Sequence, residues 1–430
     1  MVAMGLPPPS TAWTLGVFVV TLALILTRPR GLNEAWSAGL GGVAMLVSGS
    51  VTVQQAAEVV WASRNALLFL LALLLLSALV ESSGLFEWAA LHASRRARGE
   101  GPRLFRNVFV LGALVTVSLS LDTTAVMLTP IVVAFVQRLR LPARPYVIGT
   151  AVVANVASLL LPISNLTNLL FADAFGIPFA RFASLMIAPQ LVAAVSAYLL
   201  LRWRFRGELI TSFDASKLPH PSSAVPDARY FRAAAVVLVL ILVGYFAAPV
   251  VRMEPYVVAF GGAGFLAIYG VRRARVGGRA IREVPWPVFP LVLGLFVVVR
   301  AVENVGVLAA AARWSSLAGG HPMARVFLAS GTTAVASNVM NNLPAALLAR
   351  TVLGTPDPDE AQLFGALVGL GVGPTVLPTG SLATLLVLDV ARRKGEPVSG
   401  IELLAIGLWM TPIVLLLSTL ALAAIVLHST

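Results

Sequence analysis

Long apolar runs separated by short polar connections make up most of the chain. A transmembrane helix needs about 20 consecutive apolar residues, within a range of roughly 17–25. Most of the runs have that length, and together they predict an all-α polytopic membrane protein. The predicted apolar segments lie near 10–27, 35–51, 65–80, 104–137, 146–173, 184–201, 232–250, 256–271, 286–302, 324–350, 361–390 and 402–427.

Four of these segments do not fit a single uninterrupted helix. Segments 146–173 and 361–390 are too long, and each contains a proline beside small polar residues, in LPISNLTN and LPTGSLAT. Segments 104–137 and 324–350 are interrupted by polar residues followed by proline, in LDTTAVMLTP and NVMNNLP. Non-helical backbone at membrane depth is tolerated only where it packs in protein or lines a wet cavity. The four interruptions therefore predict one shared polar centre.

The basic residues predict which connections face the cytoplasm, because cytoplasmic loops are rich in Lys and Arg. Most of the 31 Lys and Arg residues fall in one set of connections. The alternate set contains only Arg64, Arg181, Arg252, Arg300, Arg313, Arg325 and Arg350. This division holds only if segments 104–137 and 324–350 are re-entrant hairpins. It predicts ten transmembrane helices plus two re-entrant hairpins, with both termini on the non-cytoplasmic side of a multi-pass inner-membrane protein.

The two halves of the chain resemble each other, with Asp122 matching Asn342 and Pro162 matching Pro378. Each half has five predicted spans, an odd number, so the second copy is inverted relative to the first. Inverted repeats with discontinuous helices that meet near the bilayer midplane are typical of secondary transporters. The predicted organisation is a first inverted repeat over 10–201, a flexible cytoplasmic linker over 202–231, and a second inverted repeat over 232–427, with two discontinuous helices at 146–173 and 361–390.

Composition narrows the possible functions. The chain is 58% hydrophobic and 12% charged, whereas soluble domains are about 25% charged, so a water-soluble fold is excluded. Cysteine is absent, which excludes disulfides and thiolate metal sites. The net charge of +12 is explained by cytoplasmic loops rather than by nucleic-acid binding. Since the nucleotide-binding, zinc-protease and serine-hydrolase motifs are also missing, we expect no enzyme, no cofactor and no permanently bound metal.

Polar residues that could contact a solute cluster at the four interruptions. They offer hydroxyls, amides and one carboxylate, and half-helix N-termini add N–H donors and positive dipole ends. Such a site suits a small polar or hydroxylated solute, a cation whose hydration shell the site replaces, or both. In the alternative interpretation, Ser and Thr bond to their own backbone and Asn joins helices. The candidate binding residues are Asp122, Thr123, Thr124, Asn155, Ser164, Asn165, Thr167, Asn168, Ser337, Asn338, Asn341, Asn342, Thr379, Gly380, Ser381 and Thr384.

Asp122 differs from the other candidates because it is ionisable. An ionisable residue inside the membrane is costly and indicates a functional site. Burial favours the neutral carboxyl, so that Asp122 could bind and release a proton. Its counterpart Asn342 is neutral, and the pair therefore carries at most one negative charge. We predict a role in proton coupling, with a structural acceptor for hairpin N–H groups as the alternative.

These segments resemble the ArsB family of arsenite and antimonite efflux permeases, within the ion transporter superfamily. The resemblance implies export of trivalent arsenic or antimony, as the neutral trihydroxide, in exchange for protons. Some family members associate with a cytoplasmic ATPase subunit, which is therefore an implied partner besides membrane lipid. The family's usual Asn-Asp-Gly tip is Leu121-Asp122-Thr123 here, so only Asp122 carries over. The resemblance is strongest in LDTTAVMLTPIV (121–132), LPISNLTNLLFAD (161–173), SNVMNNLPAALLA (337–349) and VGPTVLPTGSLATLLVLDV (372–390).

Two alternatives stay open at this point. The first is a sodium/proton antiporter or a sodium-coupled anion transporter of the same superfamily, although the interruptions contain no Lys or Arg that would bind a dicarboxylate. The second is a membrane scaffold or receptor without transport activity. A chain without cysteine cannot hold arsenic through sulfur, so it would have to recognise As(OH)₃ as a compact triol.

Overall fold

The computed structural model describes residues 10–29, 32–210, 212–273, 282, 284–306, 321–354 and 358–429. Within these residues the regular elements are helices, which confirms the all-α prediction, and six of them are long and apolar enough to cross a membrane. The helices of the first half are α1 (Thr11–Thr27), α2 (Glu34–Val47), α3 (Val53–Ala62), α4 (Arg64–Glu81), α5 (Leu85–Arg96), α6 (Gly101–Ser118), α7 (Leu121–Arg138), α8 (Ala143–Val156), α9 (Leu166–Ala174) and α10 (Phe179–Arg204).

The described residues of the second half contain helices in the order of α1, α2, α4 and α6 to α10, whereas most positions that correspond to α3 lie outside the described residues. The helices of the second half are α11 (Ala228–Ala247), α12 (Pro255–Arg273), α13 (Val288–Asn304), α14 (Pro322–Met340), α15 (Asn342–Leu353), α16 (Glu360–Val372), α17 (Leu382–Arg393) and α18 (Gly400–Ser429). The positions that correspond to α5 lie outside the described residues, as does Arg313 of the alternate basic set.

Helices of the two halves pack on each other reciprocally. Helix α2 packs on α13 and α4 packs on α12, while α9 packs on α15 and α17 packs on α7. The crossing of α2 and α13 depends on a small residue, because a methyl group on Gly294 of α13 would clash with the Ala38 carbonyl oxygen of α2. Helices of each half therefore lie next to helices of the other half.

The two long segments are interrupted at their prolines. Helix α8 ends at Val156 and α9 begins at Leu166, with a 3₁₀ turn at Pro162–Ser164 between them. Helix α16 ends at Val372 and α17 begins at Leu382, with 3₁₀ turns at 373–375 and 378–380. Both interruptions lie inside the segments where the sequence pattern predicts them.

Segments 104–137 and 324–350 each form two helices joined by a tight turn. In the first pair the Thr116 and Thr124 hydroxyl oxygens are 2.7 Å apart across the turn. In the second pair, α14 ends at Met340 and α15 begins two residues later. Re-entry of these pairs into the membrane stays a prediction.

Helices α3 and α5 were not expected from the pattern of apolar runs. Both are too short and too polar to be predicted as spans. Helix α3 begins with a capping box between Thr52 and Gln55, and α5 ends with Arg95 and Arg96. A side-chain cap therefore favours α3, and the basic last turn of α5 interacts favourably with the helix dipole, although neither helix has a long apolar run.

Parts of the linker predicted over 202–231 pack against the helices, and its flexibility stays a prediction. Leu209, Leu218 and Ala224 are buried. The Arg138 guanidinium donates a hydrogen bond of 2.6 Å to the Lys217 carbonyl. Apolar side chains within a polar segment are the physical reason, because burying them offsets the entropy lost on ordering the linker.

Candidate functional site

Four helix N-termini meet at one small cavity, those of α7, α9, α15 and α17. The cavity has a volume of about 50 Å³. Because a water molecule needs roughly 10–15 Å³ of such space, the cavity has room for a solute the size of a few waters. The predicted site residues that line it are Asp122, Asn165, Thr167, Asn341, Asn342 and Ser381.

Asp122 lies in the first turn of α7. Ser120 caps this helix, because its hydroxyl accepts a hydrogen bond of 3.1 Å from the Thr123 N–H. The Thr123 hydroxyl is 3.0 Å from those of both Ser77 and Ser120. The backbone over 124–128 forms a π-helical turn, a feature found frequently at functional sites. These contacts fix the turn that carries Asp122.

The start of α9 is held by its own amide side chains. Asn165 Oδ1 accepts from the Thr167 N–H at 3.1 Å, and Asn165 Nδ2 donates to the Ser158 hydroxyl at 3.3 Å. Asn168 Nδ2 donates to the carbonyls of Ser158 (2.7 Å) and Leu161 (3.2 Å). The interruption therefore keeps a defined shape although its backbone is not helical.

Asn341 forms the second hairpin tip and has φ +76° and ψ 153°. This region of backbone space is adopted almost only by glycine. The side chain compensates, because Asn341 Oδ1 accepts from the Leu343 N–H at 3.2 Å and Nδ2 donates to the Thr379 carbonyl at 3.0 Å. The tip of one hairpin is thereby tied to the second interrupted segment.

Asn338 holds the second interruption from the neighbouring helix α14. Its Nδ2 donates to the Gly373 carbonyl at 2.7 Å, and its Oδ1 accepts from the Leu377 N–H at 3.0 Å. A methyl group on Gly380 would lie 2.8 Å from the Pro374 carbonyl oxygen. Only glycine therefore fits this close approach of the backbone.

The other predicted site residues do not line the cavity. Most of them bond within the protein instead, as Asn155 Nδ2 does to the Thr384 hydroxyl at 2.9 Å. Their side chains or backbone shape the interruptions that surround the cavity. These residues are Thr123, Thr124, Asn155, Ser164, Asn168, Ser337, Asn338, Thr379, Gly380 and Thr384.

Two hydroxyls at the cavity have no hydrogen-bond partner among the described residues. Thr167 Oγ1 and Ser381 Oγ are both buried and unpaired, and each belongs to a residue that lines the cavity. A buried polar atom without a partner costs about 1–3 kcal/mol. A hydroxylated solute or ordered water in the cavity would remove that cost.

Glu34 also lines the cavity and was missed from the sequence. It is the first residue of α2, and its side chain is 12% exposed and forms an ion pair with Arg28. Burial lowers the pKa of Arg28, and the nearby Asp389 carboxylate partly offsets this. The sequence does show an acidic residue, Glu34, between a basic connection and an apolar run. The predicted span, however, began one residue later, at position 35.

Gln190 on α10 was missed as well. Its Oε1 accepts from the N–H groups of Leu159 (2.9 Å) and Leu160 (3.1 Å), and its Nε2 donates to the Val156 carbonyl at 3.1 Å. One side chain thus satisfies three backbone groups freed by the first interruption. A single amide in a long apolar run was the signal that could have identified it.

The cavity favours a small solute that both donates and accepts hydrogen bonds. Helix N-termini supply N–H donors and partial positive charge. Asp122 and Glu34 supply carboxylate acceptors, and no Lys or Arg is among the described residues that line the cavity. Leucines of α13, Leu291 and Leu295, form part of an apolar wall.

The whole chain is similar to known membrane pumps. A family model described as arsenical pump membrane protein matches residues 13–427. Arsenical pump membrane proteins of Yersinia enterocolitica and Escherichia coli are 36% and 34% identical, each over 95% of this chain and 97% of the relative. The crystal structure of the Alcanivorax borkumensis YdaH transporter has the same fold, with a TM-score of 0.59, 16% identity, and coverage of 98% of this chain and 99% of that chain.

Proposed function

The chain belongs to the ArsB family of arsenical pump membrane proteins, and from that premise we propose that it exports arsenite and antimonite from the cytoplasm, across the inner membrane, in exchange for protons. The resemblance inferred from the motifs is thereby confirmed, and the chain is a multi-pass membrane transporter rather than an enzyme. The transported species in this proposal is the neutral trihydroxide.

The observation that carries this proposal is the cavity where the four helix N-termini meet. A trihydroxide donates three O–H groups and offers three oxygens. Asp122, Glu34 and the Asn342 amide can accept from the solute, while Thr167 and Ser381 hydroxyls are free to donate. The volume of about 50 Å³ matches a solute with few heavy atoms.

Weak contacts at several points also suit a transporter. A neutral hydrogen bond contributes about 0.5–1.5 kcal/mol net to binding. Several such bonds at fixed positions select a solute of matching shape, and because each bond is weak the solute can still dissociate. The absence of cysteine from the chain means that no As–S bond has to be broken.

Exchange follows if the proton and the solute compete for Asp122. The ionised carboxylate accepts an O–H group of the solute, whereas the protonated carboxyl has lost that charge and is a weaker acceptor. Protonation from the outside therefore displaces the solute outward, and deprotonation towards the cytoplasm restores the binding form. Movement of the hairpins relative to α2 and α13 would give each side access in turn.

Transport measurements in everted membrane vesicles test this proposal. Arsenite uptake should follow an imposed pH gradient in vesicles that contain the full chain, and should be absent from vesicles without it. Uptake that follows a sodium gradient and ignores the pH gradient would favour the alternative, a sodium-coupled transporter. No uptake under either gradient would overturn the proposal.

In this proposal the negative charge of Glu34 excludes anions from the cavity, which a substitution of Glu34 can test. Removing its charge in Glu34→Gln leaves Arg28 and four helix N-termini near the cavity, so phosphate should inhibit arsenite uptake in the variant but not in the wild type. Glu254, the acidic residue at the corresponding start of α12, is exposed and does not line the cavity. Glu254→Gln is therefore the matched control, and equal phosphate sensitivity of both variants would contradict this role of Glu34.

A further inference from the structure

A groove between α5 and α6 is charged at one end and apolar at the other. It has a volume of about 1040 Å³ and is lined by residues of these two helices and their connection. Arg96, Arg98, Arg103 and Arg106 line the charged end, and Val110 and Leu114 line the apolar end. None of the described residues that line the groove is acidic.

The arginines are only partly used within the protein. Arg103 pairs with Glu100 at 2.7 Å, and Arg106 contacts the neighbouring Asn107 amide at 3.3 Å. Both Arg103 and Arg106 are exposed. Several guanidinium groups therefore remain free to bind an anion with more than one oxygen.

The apolar end faces the surroundings rather than the protein core. Val110 is 50% exposed and Leu114 is 63% exposed, and they lie four residues apart on one face of α6. Trp88 of α5 lies beside them in the groove. Exposed aliphatic side chains on a membrane helix contact acyl chains, and Trp is enriched at the boundary between headgroups and hydrocarbon.

We propose that this groove binds one anionic phospholipid of the cytoplasmic leaflet. The phosphate lies on the arginines from both walls, and the acyl chains lie along α6 at Val110 and Leu114. Basic pockets between membrane helices on the cytoplasmic side are known to suit such headgroups. An acidic soluble protein would match the charged end but would leave the apolar end, which the sequence pattern predicts to lie within the membrane, without a partner.

The bound lipid would stabilise the first hairpin. Asn107 of α6 donates a hydrogen bond of 2.8 Å to the Ala93 carbonyl of α5, beside the groove. Further along α6, the Thr116 hydroxyl is 2.7 Å from the Thr124 hydroxyl beneath the tip that carries Asp122. A lipid that holds α5 against α6 therefore supports the arm on which the tip rests.

Native mass spectrometry and thermal unfolding of the purified full chain test this site. One phosphatidylglycerol molecule should survive delipidation, and added phosphatidylglycerol should raise the unfolding temperature more than phosphatidylcholine does. Arg96→Gln/Arg106→Gln removes one charge from each wall, and we expect phosphatidylglycerol to bind roughly tenfold or more weakly. Leu114→Asn should weaken binding through the acyl chain alone.

The matched control is Arg202→Gln/Arg272→Gln. Both arginines are exposed, belong to the basic set assigned to the cytoplasm, and do not line the groove. The control should retain the lipid at wild-type affinity. Equal loss in both double variants would overturn the site, and so would equal stabilisation by glycerol phosphate, since that would indicate a free anion.

Discussion

The two halves of the molecule contribute different chemistry to the same cavity. The first half supplies both carboxylates, Asp122 and Glu34, whereas the second half supplies the neutral side chains of Asn341, Asn342 and Ser381. Matching positions in the two halves therefore have a similar location but a different charge. Asp122 and Asn342, for example, both lie in the first turn of a helix that begins at the cavity. Under the proposed function, both halves would contact the solute, while the titratable group at a hairpin tip belongs to the first half alone.

The interruptions are also satisfied by different groups. In the first half, Gln190 from α10 bonds to three freed backbone groups. In the second half, Asn338 from α14 bonds to the Gly373 carbonyl and the Leu377 N–H. Both solutions place one amide side chain against the freed backbone. In both halves the freed backbone groups therefore need a hydrogen-bond partner, but different residues supply it.

Asp122→Asn removes the one charge that distinguishes the two hairpin tips, and it should have the largest effect. We expect uptake driven by a pH gradient to fall to the level of vesicles without the protein, because an amide cannot bind and release the proton. Arsenite flux in everted vesicles measures this.

The reciprocal substitution is the control for Asp122. Asn342→Asp/Asp122→Asn moves the charge to the other tip without changing the total. Retention of most of the uptake in Asp122→Asn would contradict the coupling role, and full recovery in the double variant would show that either half can carry the proton.

Gln190→Leu should cause the largest loss of stability. It leaves the Leu159 and Leu160 N–H groups and the Val156 carbonyl without their partner, at a cost of about 1–3 kcal/mol each. Thr411 on α18 bonds to the Thr375 hydroxyl at 2.7 Å in the second half. Thr411→Val should therefore lower the unfolding temperature less. Thermal unfolding in detergent measures both unfolding temperatures. An equal decrease in the two variants would contradict this difference between the halves.

Substitutions of Asn341 separate backbone strain from capping in the second tip. Asn341→Gly and Asn341→Ala both lose the bonds to Leu343 and Thr379, but only alanine strains the backbone at φ +76°. We expect the alanine variant to be less stable than the glycine variant by about 1–3 kcal/mol. Thermal unfolding of the two purified variants measures the difference, and equal stability would contradict the strain.

Ser381→Ala and Thr167→Val remove the unpaired hydroxyls, one from each half. Neither hydroxyl has a partner within the described residues, so the unfolding temperature should be nearly unchanged. The KM for arsenite should rise by about 2–10-fold, the equivalent of one neutral hydrogen bond. Thr124→Val removes a hydroxyl that is bonded within the protein and should lower stability instead. A KM that changes in only one of the two cavity variants would show unequal contributions from the halves.

The sequence determined the class of structure, the interruptions and the family. Apolar runs of membrane-spanning length and prolines beside small polar residues are local features, so the positions of the apolar helices and of the two interrupted segments could be read from them, whereas those of α3 and α5 could not. The polar residues at the four interruptions were predicted to share one centre, and six of them line one cavity. That inference needed only the rule that free backbone groups avoid lipid.

Only the tertiary structure decided which polar groups line the cavity. Asn155 and Asn165 are both amides near the first interruption, yet Asn155 bonds to Thr384 and Asn165 lines the cavity. Glu34 reaches the cavity through the packing of α2 on α13. Whether a side chain caps its own helix, bonds to a distant one or faces open space depends on contacts between residues far apart in the chain. Local patterns carry no information about those contacts, because they arise only when distant helices pack together.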